Sequence, residues 1–278
     1  QFIFFNFSFF VRMSSISVMF QNNLIKEITM VNKVAWITGA GSGIGEASAI
    51  KLSEEGFTVV LSGRTKETLD TVASNCKGQV SVKPLDVSNH EDVKSVFEDI
   101  ISDYARVDIL VASAGLNAKN RNWHNVSEHD FDQIIKIDLN GVFYTNRLVL
   151  EKMKEQRGGL IINISSWAGK YVTTLTGPAY TAAKHGVNAL TEGINMEAGH
   201  FGVRACAICP GEVATPILDK RPIPVSKEDK EKMVQSEDCA ETVVFLAKLP
   251  PRVCINEITI SPTWNRLYVA GLTDQIPK

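Results

Sequence analysis

Little in the sequence would place it in a membrane, on a nucleic acid or outside the cell. Its most conspicuous apolar run is the Phe-rich start, which breaks off at Arg12. A bilayer-spanning helix takes about 20 apolar residues. That start also lacks the basic head and small-residue cleavage site of a secretory signal. There is no block of one charge sign. Lys and Arg number 29 against 31 Asp and Glu, for a net charge of −2, so nothing in the charge pattern points to a nucleic-acid or anionic-membrane partner. Cysteine is scarce: Cys76, Cys206, Cys209, Cys239 and Cys254 form an odd set without framework spacing. Reduced thiols and a cytoplasmic setting are the expectation. Cys206 and Cys209 match C-x-x-C, but they fall in "VRACAIC", which reads as a strand. Positions three apart there face opposite ways, so the pair reads as structural rather than metal-binding or redox-active.

Against these absences stands a sizeable apolar content, 44% of 278 residues, arranged in a repeating order. Short apolar, β-branched runs at 33–38, 58–63, 79–85, 107–113, 159–165, 203–209 and 256–261 read as strands buried on both faces. Helix-period segments lie near 44–55, 66–75, 89–104, 128–156 and 180–199. Strict alternation means βαβ units, so the fold expected over 30–278 is a single doubly wound α/β domain, a parallel sheet of these seven strands with helices on both faces. Residues 1–29 read as an extension outside it. The segment 214–237, with three prolines and many charges, interrupts the alternation just after the sixth strand. It reads either as a cover over a site at the strand ends or as a solvated loop.

The run "TGAGSGIG" (38–45) follows the first strand and opens a helix. Gly39, Gly43 and Gly45 lie where a tight turn lets backbone approach a pyrophosphate at a helix N-terminus. The spacing G-x-x-x-G-x-G differs from the G-x-G-x-x-G of most dinucleotide sites. The second strand ends in "SGRTK" without the carboxylate that would bind a ribose 2′-hydroxyl. Arg64 offers a fork of donors suited to a 2′-phosphate, so NADP(H) is expected over NAD(H). Ser42 adds no second cation.

Further along come "NISSWAG" (163–169), "YTAAK" (180–184) and "PGEVATP" (210–216). In order and spacing, these motifs and the glycine loop make residues 33–216 resemble the short-chain dehydrogenase/reductase family. The resemblance implies a Rossmann-type fold and an NADP(H)-dependent oxidoreductase acting on a carbonyl or secondary alcohol as a small-molecule substrate. It assigns Tyr180 as acid/base, with Lys184 one helical turn away lowering the phenol pKa from its usual value of about 10. Ser166, rather than Ser165, would hydrogen-bond the reacting oxygen. Cofactor contacts are implied at Gly39, Ser42, Gly43, Ile44, Gly45, Arg64, Asp86, Val87, Ala114, Gly115, Tyr180, Lys184, Pro210, Gly211, Val213 and Thr215. A homodimer or homotetramer would pair through the two long helices.

Two departures stand out. The family's "NNAG" is "ASAG" here, with Ala112 and Ser113 in place of both asparagines. In "IDLNG" (137–141), Asp138 occupies the place of the family's catalytic asparagine. Its negative charge would raise the phenol pKa if close and unscreened. These departures leave a second reading open, a non-catalytic NADP-binding protein that keeps the fold. Around the expected substrate pocket, 116–123, 168–177 and 214–237, Trp123, Trp167 and Tyr171 are candidate contacts. His185 reads as structural, facing away from the Tyr–Lys stripe.

Overall fold

In the computed structural model, residues 33–221 and 225–269 are described; the expectation for residues 1–29 lies outside them. Seven strands form one all-parallel sheet in the order β3-β2-β1-β4-β5-β6-β7. They are β1 (Val34–Thr38), β2 (Thr58–Ser62), β3 (Val80–Val82), β4 (Ile109–Ala112), β5 (Gly159–Ile164), β6 (Val203–Pro210) and β7 (Glu257–Ile260). Every residue of β1, β2 and β4 is buried, as a central parallel strand covered on both faces requires. The edge strand β7 instead alternates exposed and half-buried residues.

Helices α1 (Gly43–Glu54), α2 (Lys66–Asn75) and α8 (Ser236–Lys248) lie on one face of the sheet, and α3 (His90–Tyr104), α5 (Gly141–Gln156) and α6 (Pro178–Ala198) on the other. Two apolar layers result. One gathers Trp36, Leu110, Ile161, Val149 and Met153; the other gathers Ile37, Leu61, Val111, Leu52 and Val243. Trp36 is fully buried, and its indole N–H donates to Ser62 Oγ at 2.9 Å, so its one polar atom is satisfied inside the core. Local chemistry fixes the helix starts. Asn89 accepts from Glu91 N at the head of α3, Ser127 accepts from Asp130 N at the head of α4 (Glu128–Ile135), and Pro178 opens α6.

The helix expected over 128–156 is continuous in path but not regular. Between α4 and α5, residues Lys136–Asn140 form a π turn. A π turn inserts one residue and rotates the side chains that follow. The periodicity of the apolar residues does not reveal it.

The C-x-x-C thiols Cys206 and Cys209 are both buried and reduced within β6. Burial pushes the Cys206 thiol up to about 12, so it stays protonated and inert.

Candidate active site

The strand order reverses direction between β1 and β4, and a cleft of about 480 Å³ opens along the C-terminal ends of the strands, where open parallel sheets bind ligands. Its first wall is the turn from β1 to α1. Gly39 has φ +65, and a Cβ there would lie 2.7 Å from Ala114 N; only glycine permits both the backbone angle and this approach. A Cβ on Gly45 would lie 2.2 Å from Gly39 O. Gly45 therefore stands behind the wall and closes the turn. Gly39, Ser42, Gly43 and Ile44 face the cleft. Ser42 caps α1 in extended conformation with no side-chain cap hydrogen bond, so the helix presents orphan N–H groups and a hydroxyl to whatever anion binds there.

Arg64 and Asp86 line the cleft beyond the ends of β2 and β3. Arg64 is exposed, while Asp86 Oδ1 accepts from Ser88 N at 3.0 Å and Ser88 Oγ at 2.8 Å. Val87 lines the cleft and backs against Gly141. Ala114 and Gly115 follow β4. The amides of Ser113 and Ala114 donate to Thr38 Oγ1 at 3.2 and 3.4 Å, so Thr38 ties this loop to β1 where the family's asparagines are replaced. Pro210, the last residue of β6, and Gly211, Val213 and Thr215 beyond it form another wall. This lining fits a dinucleotide: glycine backbone and a helix N-terminus at one end, a guanidinium beside it, and apolar walls further in.

Ser166, Tyr180 and Lys184 meet in the same cleft. Ser165 and Ser166 play different parts. Ser165 is buried and its Oγ donates to Lys184 O at 3.3 Å, whereas Ser166 is half-buried and accepts from Ala168 N at 3.1 Å. Lys184 is buried; its ammonium donates to Ile164 O at 3.0 Å and sits 5.4 Å from the Tyr180 ring centroid. His185 points away, exposed, with Nδ1 2.9 Å from Thr181 O.

Asp138, on the π turn, is completely buried behind Lys184. Its Oδ1 accepts from Leu116 N at 2.8 Å, and its Oδ2 is 3.5 Å from Lys184 Nζ. A Cβ on Gly115 would come 3.1 Å from Oδ2, so Gly115 makes the room for this carboxylate. Burial raises the Asp138 pKa to about 6 against the pull of Lys184 and the Leu116 amide. Its charge reaches Tyr180. Burial pushes the phenol above its ordinary value, Lys184 pulls it down, Asp138 pushes it up, and Ser166 and Arg121 pull it down. The expected net lowering by Lys184 is thus corrected for the protein alone: the lysine acts in the expected direction, but desolvation outweighs it.

The first part of the segment 214–237 borders the cleft. Thr215, Pro216, Ile217, Leu218 and Arg221 line it, while the short helix α7 (Lys227–Glu231) carries no buried residue. Its two ends are tied by an isolated parallel bridge, with Ala214 N donating to Val234 O at 2.8 Å and Val234 N to Glu212 O at 3.1 Å. Trp167 and Tyr171 line the cleft in an edge-to-face pair, centroids 5.4 Å apart, whereas Trp123 is 85% exposed and off the wall. Three charged residues on the wall were not singled out by sequence: Arg121, Glu212 and Arg221. Glu212 sits inside the strand-end motif and Arg121 inside a loop, and no local pattern marks either.

Comparison with known proteins agrees with this architecture. The short chain dehydrogenase family matches residues 33–223. An uncharacterized oxidoreductase of Staphylococcus aureus (strain USA300) is 37% identical, over 84% of this chain and 98% of its own length. An alcohol dehydrogenase from the archaeon Thermococcus sibiricus, solved with 5-hydroxy-NADP, is 30% identical with a TM-score of 0.77, covering 84% of this chain and 98% of that one. The closed form of a serine dehydrogenase complexed with NADP+ is 28% identical with a TM-score of 0.76, covering 82% and 94%. With the motifs in order, the sheet order that places them together and relatives matched over nearly their whole length, the chain belongs to the short-chain dehydrogenase/reductase family of oxidoreductases.

Proposed function

We propose that the protein is an NADP(H)-dependent oxidoreductase that moves a hydride between the nicotinamide and a carbonyl or secondary alcohol, with Tyr180 as acid/base. The observation that carries this reading is the convergence of Ser166, Tyr180 and Lys184 on the cleft that the glycine turn opens. When bound, the cofactor supplies or accepts the hydride. In reduction, Tyr180 gives its proton to the carbonyl oxygen as that oxygen gains charge, leaving an alcohol and a phenolate. Ser166 donates to the same oxygen and holds it in place. Lys184 stabilises the phenolate electrostatically, and its own charge is supported by Asp138 despite burial. In oxidation the proton runs the other way.

Arg64 favours NADP(H) because a 2′-phosphate would meet a guanidinium there instead of a carboxylate. The NADP-type cofactors named for two similar structures support this choice. The test is NADPH consumption against ketones, aldehydes and 3-oxoacyl thioesters, with NADH alongside. Turnover with NADPH preferred supports the proposal; tight NADPH binding with no turnover on any substrate contradicts it.

A further inference from the structure

Two stretches of chain distant in sequence border the cleft together, and one carboxylate joins them. After β6 the chain passes Glu212 and enters a 3₁₀ turn, Pro216–Lys220; Ile217, Leu218 and then Arg221 line the cleft. After β7 it returns through Asn265, which is buried and also lines the cleft, into the short helix α9 (Arg266–Val269). The ring of Tyr268 lies 5.5 Å from that of Trp167, the residue after Ser166, so this border stands beside the reacting end of the cleft. A 3₁₀ turn of five residues and a helix of four are too short to fix their own positions by backbone pairing.

Glu212 supplies the missing link. Its Oε1 accepts from Arg221 Nη1 at 2.7 Å. Arg266 grips the same carboxylate with a fork, Nη2 to Oε1 at 2.6 Å and Nε to Oε2 at 2.9 Å. The Glu212 side chain is 10% exposed, and the two arginines hold its pKa below the ordinary range despite burial. The other ionic cross-ties are weaker. Arg266 Nη1 reaches Asp229 Oδ2 at 3.3 Å, and Lys230 donates to Asp219 Oδ1 at 2.9 Å. Those groups are a third or more exposed, where ion pairs contribute little. A forked, largely buried guanidinium–carboxylate pair is the stronger link. Glu212 is itself held by backbone: Gly211 N donates to Ile260 O at 2.7 Å, and Val234 N donates to Glu212 O at 3.1 Å.

We infer that Glu212 is a positioning residue for substrate: through Arg221 and Arg266 it clasps the 216–221 turn to the Asn265 stretch, making them one wall that retains the substrate in the cleft. Arg266 does not line the cleft, but it places Asn265, its neighbour in the chain, on that wall. Arg221 and Arg266 both donate to the same Oε1. Without the negative charge, two guanidinium groups would meet there with nothing to neutralise them, and the two stretches would part. A wall that holds together keeps water out and lengthens the stay of a bound substrate.

This inference rests on the hydride-transfer reading, and the experiment keeps the two apart. Glu212→Gln keeps the shape of the side chain and removes its charge, whereas Arg266→Met removes the outer fork. With an accepted ketone and saturating NADPH, Glu212→Gln should lower kcat/KM by about tenfold and Arg266→Met by less, the loss carried by KM. A role confined to stability would reduce the active fraction instead. Then kcat would fall with KM unchanged, which overturns the inference and leaves hydride transfer standing. Both variants break one link, so the double variant should match Glu212→Gln alone; effects that multiply overturn the inference too. A second measurement needs no turnover. Hydrogen exchange read by mass spectrometry should be faster in Glu212→Gln over 213–221 and 261–269, with β1, β4 and β5 unchanged. If no ketone is turned over, hydride transfer fails by itself, and the exchange pattern decides on Glu212. Exchange unaltered in the two stretches, or raised throughout the sheet, overturns the clasp. Should Glu212→Gln fail to fold, Arg266→Met carries both readouts.

Discussion

The two ends of the cleft are built on different principles. The proposed cofactor end is made of backbone: glycines at Gly39 and Gly45 that admit no Cβ, a helix N-terminus without a side-chain cap, and one exposed guanidinium, Arg64. The proposed substrate end is made of charge at least half buried: Asp138 against Lys184, and Glu212 against Arg221 and Arg266. Backbone geometry tolerates little change and serves one ligand shape. Buried charge is tuned by its neighbours, so it can set both acidity and ligand preference on one scaffold.

The sharpest way to separate the ends is Tyr180→Phe. It should lower kcat by about 10²–10⁴-fold, the range of general acid catalysis, while NADPH affinity stays near the wild-type value by fluorescence titration. Arg64→Ala should do the reverse, weakening NADPH by about 10–100-fold, as expected for loss of charge-assisted hydrogen bonds, with NADH little affected. Equal losses for both cofactors would remove the basis for choosing NADP(H). Gly45→Ala should damage the cofactor end through the fold. The methyl group would meet Gly39 O, and overpacking of this kind costs about 1–3 kcal/mol in thermal or denaturant unfolding.

Asp138→Asn probes the substrate end through pH. The wild-type carboxyl titrates near 6, raised from its ordinary value chiefly by burial. A raised pKa means the folded state holds the proton more tightly than the unfolded chain. The resulting stability is present in acid, below about 4, and is lost as pH climbs through about 6. The asparagine variant should lack this slope. The rising limb of its pH profile for alcohol oxidation, which follows formation of the phenolate base, should also move to lower pH, because the charge that raises the Tyr180 phenol is gone. An unmoved limb would show that Asp138 is screened from the phenol. The smallest effect belongs to Ser165→Ala. Losing its bond to Lys184 O should cost about 0.5–1.5 kcal/mol of stability with modest change in turnover, in contrast to a loss of about 10²–10³-fold in kcat for Ser166→Ala if it holds the reacting oxygen.

This division also explains what could be read from sequence. The strands, the helix faces and the glycine turn follow from local pattern, because apolar runs and glycine spacing act over a few residues. The meeting of Ser166 with Tyr180 follows from strand order. The π turn at Lys136–Asn140 leaves no mark in hydrophobic periodicity, yet it sets where Asp138 points. The pairing of Glu212 with Arg266 joins residues 54 apart, and Arg121 reaches the cleft through the packing of its loop on Gly177. Those contacts are products of the tertiary fold. The net direction of the Tyr180 shift is hidden for the same reason: the lysine is visible at a spacing of four, whereas burial is not.

The central claim is that this cleft passes a hydride between NADP(H) and a carbonyl carbon under the control of Tyr180. It is tested most directly by incubating the protein with NADPH deuterated at the transferable position and an accepted ketone or aldehyde, then locating the label by mass spectrometry. The account predicts one deuterium on the carbinol carbon with the wild type and almost none over the same time with Tyr180→Phe at matched cofactor occupancy. Unlabelled alcohol, or equal labelling by both proteins, would contradict it.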